Sequence, residues 1–461
     1  MPRLPFNVIQ RFGFAAASIA SLVSTGAAAD LEKPAPPPVT IYTHVSVIDG
    51  TGAPPAADMA IVVEGERIKS VLPMAALAKD PVPGATLVDL TGKFALPGLI
   101  DSHTHVGNEG NRRATEAQLY RMLYGGVTAV RDMAGDGRFL ADVARSARLA
   151  NIPAPDIYFS ALMAGPSFFA DPRTHAATRG AKPGEVPWMQ AITAGTDMVT
   201  AVAMARGTGA TGIKIYANLP AAEVRRIVAE AHRQGFPVWA HATIFPTSPR
   251  EGIAAGIDSV SHAYMLVFEF DDTLNSGKSY ANRTSLDILA PRMKHYTTVL
   301  PALYAEMKRR GTILDATVHT FFETDAKQPP DKPKRGPLCA QIAQAAYHAG
   351  VAISAGTDFT PAGTDAYPAL QTEMETLVRD AGMTPADVIC AATGIAARTF
   401  KADAEMGTLT PGKLANLVFV AANPLEDITA LRTVVLTVKR GRAYPRSDYR
   451  QPDAKILDED Y

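Results

Sequence analysis

The chain has 461 residues, with 45 lysines and arginines against 46 aspartates and glutamates, and a formal net charge of -1 at pH 7. A chain this close to neutral lacks the basic excess with which proteins bind phosphate backbones, so nucleic acid is excluded as the main partner. The length suits one large α/β domain, or a barrel with a small companion domain.

Residues 1–29 have the pattern of an export signal. Two arginines precede a small apolar run at residues 12–23, and the alanines at 27–29 fit the A-x-A cleavage rule, with Asp30 as the expected mature start. The run is short for a membrane span, and an uncleaved anchor stays open as the alternative. No later segment of the sequence is long and apolar enough to cross a bilayer. We therefore expect a periplasmic or secreted protein with no stable membrane span after signal cleavage.

Cys339 and Cys390 are the only two cysteines of the sequence, and both lie in segments with helical periodicity. An oxidising compartment would permit a disulfide between them, so their pairing stays open. Two buried free thiols are the simpler interpretation. With no cluster of cysteines, no thiolate metal site is expected.

Both ends of the remaining chain indicate short strands. Residues 30–38 are rich in proline and predict an extended linker. Short strand-like segments separated by turn signals occupy residues 39–93 and return over residues 404–448. Because the N-terminal set alone is too small to bury a good core, we expect both sets to form one β-sandwich domain. Residues 449–461 are expected to form a C-terminal tail.

Residues 94–403 alternate between strand-like and helical segments. The strand-like segments are residues 94–105, 127–132, 156–161, 212–216, 237–241, 259–262, 313–318 and 351–358. Strand and helix pairs that recur over about 300 residues are typical of a (β/α)8 barrel. The predicted fold class is therefore α/β, a TIM-like catalytic barrel beside a small β-sandwich domain built from both chain ends.

The first of these segments ends in two histidines, His103 and His105. Alternate residues of a strand share one face, so the two imidazoles point the same way and could hold one metal ion. Imidazoles on a rigid strand suit zinc. His-x-His also occurs in loops that bind no metal, so the other strand ends decide between the two interpretations.

Catalytic groups of such a barrel come from the carboxyl ends of several strands. The chemically active residues predicted at those ends are His103, His105, Lys214, His241, His262 and Asp358. Some have a simpler explanation when taken singly. His241 could be a hydrogen-bonded core histidine, Lys214 an exposed amine on a buried stem, and Asp358 a helix cap. Their convergence on one rim favours a shared metal-binding active site.

The residues around these strand ends form an ordered set of motifs. They are Leu-Pro-Gly-Leu-Ile-Asp-Ser-His-Thr-His at 96–105, Gly-Ile-Lys-Ile at 212–215, Ala-His-Ala at 240–242, Val-Ser-His at 260–262, Ser-Ala-Gly-Thr-Asp at 354–358, Gly-Thr-Leu-Thr-Pro-Gly-Lys-Leu-Ala-Asn-Leu-Val at 407–418 and Asn-Pro-Leu at 423–425. With this set the chain resembles the amidohydrolase superfamily over residues 40–445. It is most similar to the imidazolonepropionase-like branch, which includes Xaa-Pro dipeptidases.

The resemblance implies two divalent metal ions, usually zinc. The first ion would be held by His103, His105 and Asp358. The second ion would be held by His241 and His262. Lys214, carboxylated by carbon dioxide, would bridge both. A free ammonium beside two cations is repelled, whereas a lysine carbamate is an anionic ligand with two oxygens.

The family pattern also implies the chemistry. Two metal ions share a water and lower its pKa, so that a metal-bridging hydroxide attacks a polarised carbonyl carbon. Asp358 would take the proton from that water and pass it to the leaving amine.

Substrate contacts follow less directly from the resemblance. A histidine in the third loop of the dipeptidase-like relatives helps to polarise the carbonyl, and His175 is the candidate for that catalytic role and for substrate binding. Tyr216 and Tyr264 are the other candidate substrate contacts. Thr243 stands where those relatives often carry a tyrosine. Basic residues of the third loop could take its place, although a solvated loop is the simpler interpretation: Arg173, Arg179 and Lys182.

We expect an exported binuclear metal-dependent hydrolase that cleaves an amide bond in a small peptide or N-acyl amino acid, and that forms a homo-oligomer. A lactone or cyclic amide is the alternative substrate for the same centre. A deaminase would leave Lys214 without a role, and a non-catalytic scaffold would usually have lost ligands. Metal content separates these classes, with about two ions per chain for the hydrolase, one for a deaminase and none for a scaffold.

Overall fold

The computed structural model describes residues 37–107, 110–270, 275–284 and 296–457. The expected export signal at residues 1–29, most of the linker at 30–38 and the last residues of the tail at 449–461 lie outside the described residues. No helix within the described ranges is long and apolar enough to cross a membrane.

The strands, in chain order, are β1 (Val39–Val47), β2 (Ala56–Glu64), β3 (Arg67–Pro73), β4 (Thr86–Asp89), β5 (Phe94–Pro97), β6 (Leu99–Thr104), β7 (Val127–Asp132), β8 (Asp156–Ala164), β9 (Glu185–Val186), β10 (Met189–Ala191), β11 (Gly212–Ile215), β12 (Val238–His241), β13 (Ser259–Ser261), β14 (Ile313–Asp315), β15 (Ile353–Ser354), β16 (Leu417–Val420), β17 (Val434–Lys439) and β18 (Arg442–Pro445). The α-helices span Met74–Leu77, Arg112–Tyr124, Gly137–Arg148, Pro172–Ala176, Met198–Gly207, Ala221–Arg233, Pro249–Ala255, Tyr296–Arg310, Val318–Ala326, Arg335–His348, Ala369–Arg379, Pro385–Ala391, Gly394–Thr399 and Ala454–Leu457. Short 3₁₀ helices span Pro166–Ala170, Ala263–Glu269, Ile428–Arg432 and Arg446–Asp448.

One mixed sheet combines strands from both ends of the described chain. Its order is β18-β17-β16-β5-β1-β2-β3, with β4 parallel to β1. The two ends meet where β16 pairs antiparallel with β5, and one apolar cluster packs Tyr42 against Phe419 with ring centroids 4.9 Å apart. The prediction of a small β domain built from both chain ends is confirmed. The chain passes from this sheet to the next at Gly98, a few residues after the expected boundary at residue 94.

Eight parallel strands form the barrel, in the order β6, β7, β8, β11, β12, β13, β14 and β15. The first and last strands are joined by a hydrogen bond from the Ser102 amide to the Ala355 carbonyl, 3.0 Å long. The helices cover the outside. On Ala221–Arg233 the buried positions Val224, Ile227, Val228 and Ala231 follow helical spacing, as the sequence pattern predicts. The predicted (β/α)8 barrel is confirmed.

Trp239 on β12 fills space inside the barrel, because it packs in one cluster with Ile100 and Ala129 from two strands across the barrel. Its indole N–H donates a 2.6 Å hydrogen bond to the Thr399 carbonyl. Residue 212 on the neighbouring strand has to be glycine, since a Cβ there would lie 2.6 Å from the indole ring. The barrel interior is therefore a packed core below the rim that carries the predicted site.

Cys339 and Cys390 are both free thiols, the first buried and the second partly exposed. This agrees with the simpler of the two interpretations of the sequence.

A buried ion cluster ties the barrel to the small sheet. Asp156, at the start of β8, lies 2.9 Å from the Lys439 ammonium and accepts a 2.8 Å hydrogen bond from Arg440 Nε. Lys439 also donates to the Ala147 carbonyl at 2.7 Å, and its side chain is 3% exposed. Removing one partner from such a buried pair leaves a charge without compensation.

We predict that Asp156→Ala lowers the free energy of unfolding by about 3–5 kcal/mol, because Lys439 stays buried without its counter-ion. Urea unfolding followed by circular dichroism measures the change. The matched control is Asp80→Ala, which removes an exposed carboxylate and should change stability by less than about 0.5 kcal/mol. Equal stability of the two variants would show that the cluster does not hold the sheets together.

Candidate metal centre

Three of the predicted ligands meet at the mouth of the barrel. His103 lies on β6, His105 follows that strand, and Asp358 follows β15. One ligand atom from each lies within 4.8 Å of the others, with Asp358 Oδ1 3.5 Å from His103 Nε2 and 3.3 Å from His105 Nε2. The structure therefore brings together the group that the resemblance assigned to the first metal ion.

The remaining predicted ligands lie directly beside this group. The His262 ring centroid is 5.0 Å from that of His103 and 4.9 Å from that of His241. His262 Nδ1 is also 3.8 Å from Asp358 Oδ2. Lys214 is buried on β11, and its ammonium donates a 3.4 Å hydrogen bond to Ser261 Oγ, next to His262. The six predicted ligands thus lie close together at the mouth of the barrel.

Unusual backbone conformations aim two of these side chains. His262 has φ 71° and Asp358 has φ 47°, so both lie in the left-handed region that residues other than glycine rarely adopt. Thr317, which follows β14, also has φ 48°, and its hydroxyl lies 2.9 Å from His262 Nδ1. Strained residues at neighbouring strand ends are a feature of functional sites.

A buried carboxylate that the sequence interpretation missed orients His103. Asp315, at the end of β14, lies 2.6 Å from His103 Nδ1 and accepts hydrogen bonds from Ser261 Oγ at 2.9 Å and Arg131 Nη2 at 3.2 Å. With the proton on Nδ1, the lone pair of His103 Nε2 faces Asp358. Carboxylates hold metal-binding histidines in this way. Asp315 lies in the strand predicted at residues 313–318, but it was not included among the candidate active-site residues at strand ends.

Gly356 permits this contact between strands. A Cβ at this position would overlap the Asp315 carboxylate and lie 2.7 Å from His103 Cβ. The glycine of the Ser-Ala-Gly-Thr-Asp motif therefore leaves the space in which His103 and Asp315 approach each other.

Burial lowers the pKa of most of these basic groups, whereas Asp358 raises the pKa of His105 although burial opposes it. Burial lowers the pKa of Lys214 to about 7 and the pKa of His262 to about 3. Burial, with the charge of Lys214 second, also lowers the pKa of His241 well below its usual range. The pKa of Asp358 is lowered although burial opposes ionisation, because His103, His105 and His262 favour its charged form. Neutral imidazoles and an ionised carboxylate are the forms that bind metal ions.

The residues fit a divalent metal on an observation independent of the motifs. His241 Nδ1 is buried and has no hydrogen-bond partner among the described residues. A buried polar atom without a partner is costly unless something absent from the structure satisfies it. Histidine nitrogens and carboxylate oxygens are the donors of zinc sites.

A cavity of about 300 Å³ opens above these residues. His105, His241, His262 and Asp358 line its base. One wall is aromatic, with Phe168 stacked on Tyr216 at 4.4 Å and Tyr280 stacked on His241 at 5.6 Å. Arg173 lies on the same side, over the Tyr216 ring, and Arg121, Phe359 and Pro361 also line the cavity. A small molecule in this cavity would contact the candidate ligands directly.

Among the predicted substrate contacts, the structure brings only Tyr216 to the cavity. His175 is exposed on the Pro172–Ala176 helix and does not line the cavity. Tyr264 is buried beside Phe321, with ring centroids 5.3 Å apart, and does not line the cavity either. Thr243 is buried and donates a 2.7 Å hydrogen bond to the Met265 carbonyl.

The sequence interpretation did not name Tyr280 and did not single out Arg173, for different reasons. Tyr280 lies outside the strands and helices, so no strand or helix pattern in the sequence could place it at the cavity. Arg173 was named, but only as one of three basic loop residues. The structure separates the three, because Arg173 lines the cavity whereas Arg179 and Lys182 do not.

A cavity over a cluster of histidines and a carboxylate, at the carboxyl ends of barrel strands, is typical of barrel enzymes that use metal ions for hydrolysis. The model of the amidohydrolase family matches residues 94–444, and the chain belongs to this family. It is accordingly a hydrolase that acts on C–N bonds, and its family generally uses divalent metal ions.

Individual relatives are distant. The chain is 24% identical over 420 residues to imidazolonepropionase of Streptomyces avermitilis, covering 82% of this chain and 84% of that protein. A crystal structure of a Xaa-Pro dipeptidase with bound methionine superposes with a TM-score of 0.68 at 23% identity, covering 88% of this chain and 100% of the other. Ochratoxinase of Aspergillus niger superposes with a TM-score of 0.70 at 22% identity, covering 89% and 96%. These two structures share the fold.

We predict that Asp315→Asn lowers zinc affinity by about 10- to 100-fold, because the amide is a weaker acceptor for the His103 Nδ1 proton. Zinc titration against a competing chelator measures the affinity. Asp325→Asn is the matched control, since it also changes a buried carboxylate to an amide but bonds the Gly336 amide at 2.7 Å, away from the centre. Unchanged zinc affinity in a folded Asp315→Asn variant would contradict the orienting role.

Proposed function

We propose that this chain is an exported binuclear metal-dependent hydrolase that cleaves an amide bond of a small peptide or N-acyl amino acid. The observation that carries the proposal is that His105, His241, His262 and Asp358 line one cavity, with His103 and Lys214 buried next to them. His103, His105 and Asp358 would hold one divalent ion, with zinc the expected metal. His241 and His262 would hold the other.

Lys214 supports a two-ion centre more than a one-ion centre. Its side chain is 1% exposed, and burial lowers its pKa to about 7, so a large fraction of the amine is neutral near that pH. A neutral amine can add carbon dioxide and release a proton, which forms an N–C bond and an anionic carbamate. The carbamate on Lys214 would supply two oxygen ligands, one for each of the two metal ions. A deaminase with a single ion would have no use for it.

The chemistry follows from the groups at the base of the cavity. Bound divalent ions supply an acidified water and a polarised carbonyl. Asp358 is ionised, so it accepts the proton of the attacking water on a carboxylate oxygen and returns it to the nitrogen of the leaving amine. His103 is fixed by Asp315 through Nδ1, and its Nε2 lies 3.5 Å from Asp358 Oδ1, so that both atoms are close enough to bind one cation. The aromatic wall of Tyr216 and Tyr280 excludes bulk water from one side.

We predict that Asp358→Asn keeps much of the bound metal but loses about 10²- to 10⁴-fold in turnover, because the amide cannot accept a proton. The substrates are a library of dipeptides and N-acyl amino acids, offered to protein loaded with zinc and bicarbonate. Asp365→Asn, an exposed change in the same loop, is the matched control. Normal turnover in Asp358→Asn would remove this residue from the chemistry. A library without a substrate for the wild-type protein would contradict the proposed amide hydrolysis.

Export is part of the proposal and rests on the signal pattern at residues 1–29. We predict that the mature protein starts at Asp30 and is recovered in the periplasm or the medium. N-terminal sequencing of the exported protein checks this. A protein that keeps residues 1–29 and stays in the membrane fraction would support the uncleaved anchor instead.

A further inference from the structure

Arg173 is the residue of the third loop that the fold brings to the cavity. The loop leaves β8 and returns through the short strand β10, which pairs with the end of β8. Between them, Asp171 caps the helix that begins at Pro172 and accepts a hydrogen bond from the Arg173 amide at 3.0 Å. The main chain at Arg173 is therefore fixed by a local hydrogen bond.

The guanidinium of Arg173 is held in one orientation. Its Nε donates to Asp171 Oδ1 at 3.0 Å, and its Nη2 donates to Asp171 Oδ2 at 2.7 Å. Its Cζ lies 5.6 Å from the centroid of the Tyr216 ring. The paired carboxylate and the aromatic face restrict the side chain without consuming all five donors of its fork.

One edge of this fork is available to a ligand. Nη1 has no hydrogen-bond acceptor in the part of the chain that the structure describes, and the side chain is 61% exposed. By contrast, Arg121, which also lines the cavity, donates to the carbonyls of Pro361, Ala362 and Asp365. Arg173 is thus the cavity arginine that is oriented by a carboxylate while keeping an exposed edge.

The Tyr216 ring contacts both Arg173 and the candidate metal ligand His241. Tyr216, over which Arg173 lies, is in edge contact with His241 at 4.1 Å between ring centroids. A substrate whose scissile carbonyl sits above His241 and His262 would place a neighbouring substituent beside Arg173. A carboxylate is the group that matches a fixed guanidinium edge in charge and in planar geometry.

We propose that Arg173 binds a carboxylate group of the substrate through its exposed edge, and that it makes the enzyme select amides that carry such a group. This inference rests on the proposed amide hydrolysis and adds the residue that sets its specificity. Asp171 orients the guanidinium but leaves it able to form a charge-assisted hydrogen bond with the substrate.

The test compares three amides with wild-type protein loaded with zinc and bicarbonate, and with its variants. N-acetylphenylalanine carries the carboxylate on the amine half, N-glutarylphenethylamine carries it on the acyl half, and N-acetylphenethylamine carries none. Arg173→Met removes the guanidinium, and Arg179→Met is the matched control, because it makes the same change in the same loop outside the cavity. Arg173→Lys keeps the charge and loses the planar fork.

In Arg173→Met, kcat/KM for at least one of the carboxylate substrates should fall by about 10- to 100-fold, the range expected for one hydrogen bond to a charged group. In the same variant, kcat/KM for N-acetylphenethylamine should change by less than about 2-fold. This result would also show that the variant is folded. Arg173→Lys should lie between Arg173→Met and wild type. The substrate that responds identifies which half of the amide lies beside Arg173. An equal change for all three amides, or no change, would overturn the inference while amide hydrolysis stands.

A binding measurement separates the two proposals. Isothermal calorimetry with 3-phenylpropionate, compared with the uncharged 3-phenylpropanol, reports carboxylate recognition without turnover. If no amide is cleaved but Arg173→Met alone loses 3-phenylpropionate binding, the proposed function fails and the carboxylate site stands. If wild-type protein neither cleaves an amide nor prefers 3-phenylpropionate to 3-phenylpropanol, both proposals are overturned.

Discussion

The hydrogen bonds that close the barrel are the constraint on which the candidate centre depends. The Ser102 amide donates to the Ala355 carbonyl, and the Asp358 amide donates to the His103 carbonyl at 2.8 Å. The second bond joins the backbones of two candidate ligands that lie far apart in the sequence. Closing the last strand onto the first therefore also sets the distance between their side chains. The small sheet steadies this arrangement from below through the ion cluster at Asp156.

Most charges of the centre are buried, and the buried Asp315 has specific partners. Asp315 is balanced by Arg131 and by the Nδ1 proton of His103, which lower its pKa although burial alone would raise it. Burial raises the pKa of Asp101 to about 7. The hydrogen bonds that its carboxylate accepts from the Thr357 hydroxyl and the His103 amide oppose this rise. These contacts fix His103, whereas His241 Nδ1 is buried and has no hydrogen-bond partner within the described ranges. Such a donor set is stable when cations occupy it.

The repeating part of the structure could be predicted from the sequence, and the loops could not. Alternating strand and helix patterns specify the barrel because each element buries one apolar face, as the Ala221–Arg233 helix does. The candidate ligands could be named because motifs place them at strand ends. Asp315 was missed although it ends a strand, since that strand carried no known motif. Tyr280 and Arg173 depend on loop paths, which short-range sequence patterns do not determine. For the same reason, the sequence does not show that His175 lies outside the cavity lining.

Anomalous diffraction at the zinc edge, from crystals grown with zinc and bicarbonate, tests the central claim most directly. The account predicts two peaks. One should lie about 2.0–2.2 Å from nitrogens of His103 and His105 and an oxygen of Asp358, and the other at similar distances from His241 and His262. Density for a carboxylated Lys214 should lie between them. A single peak, or an unmodified Lys214 directed away from both histidine pairs, would contradict a binuclear centre.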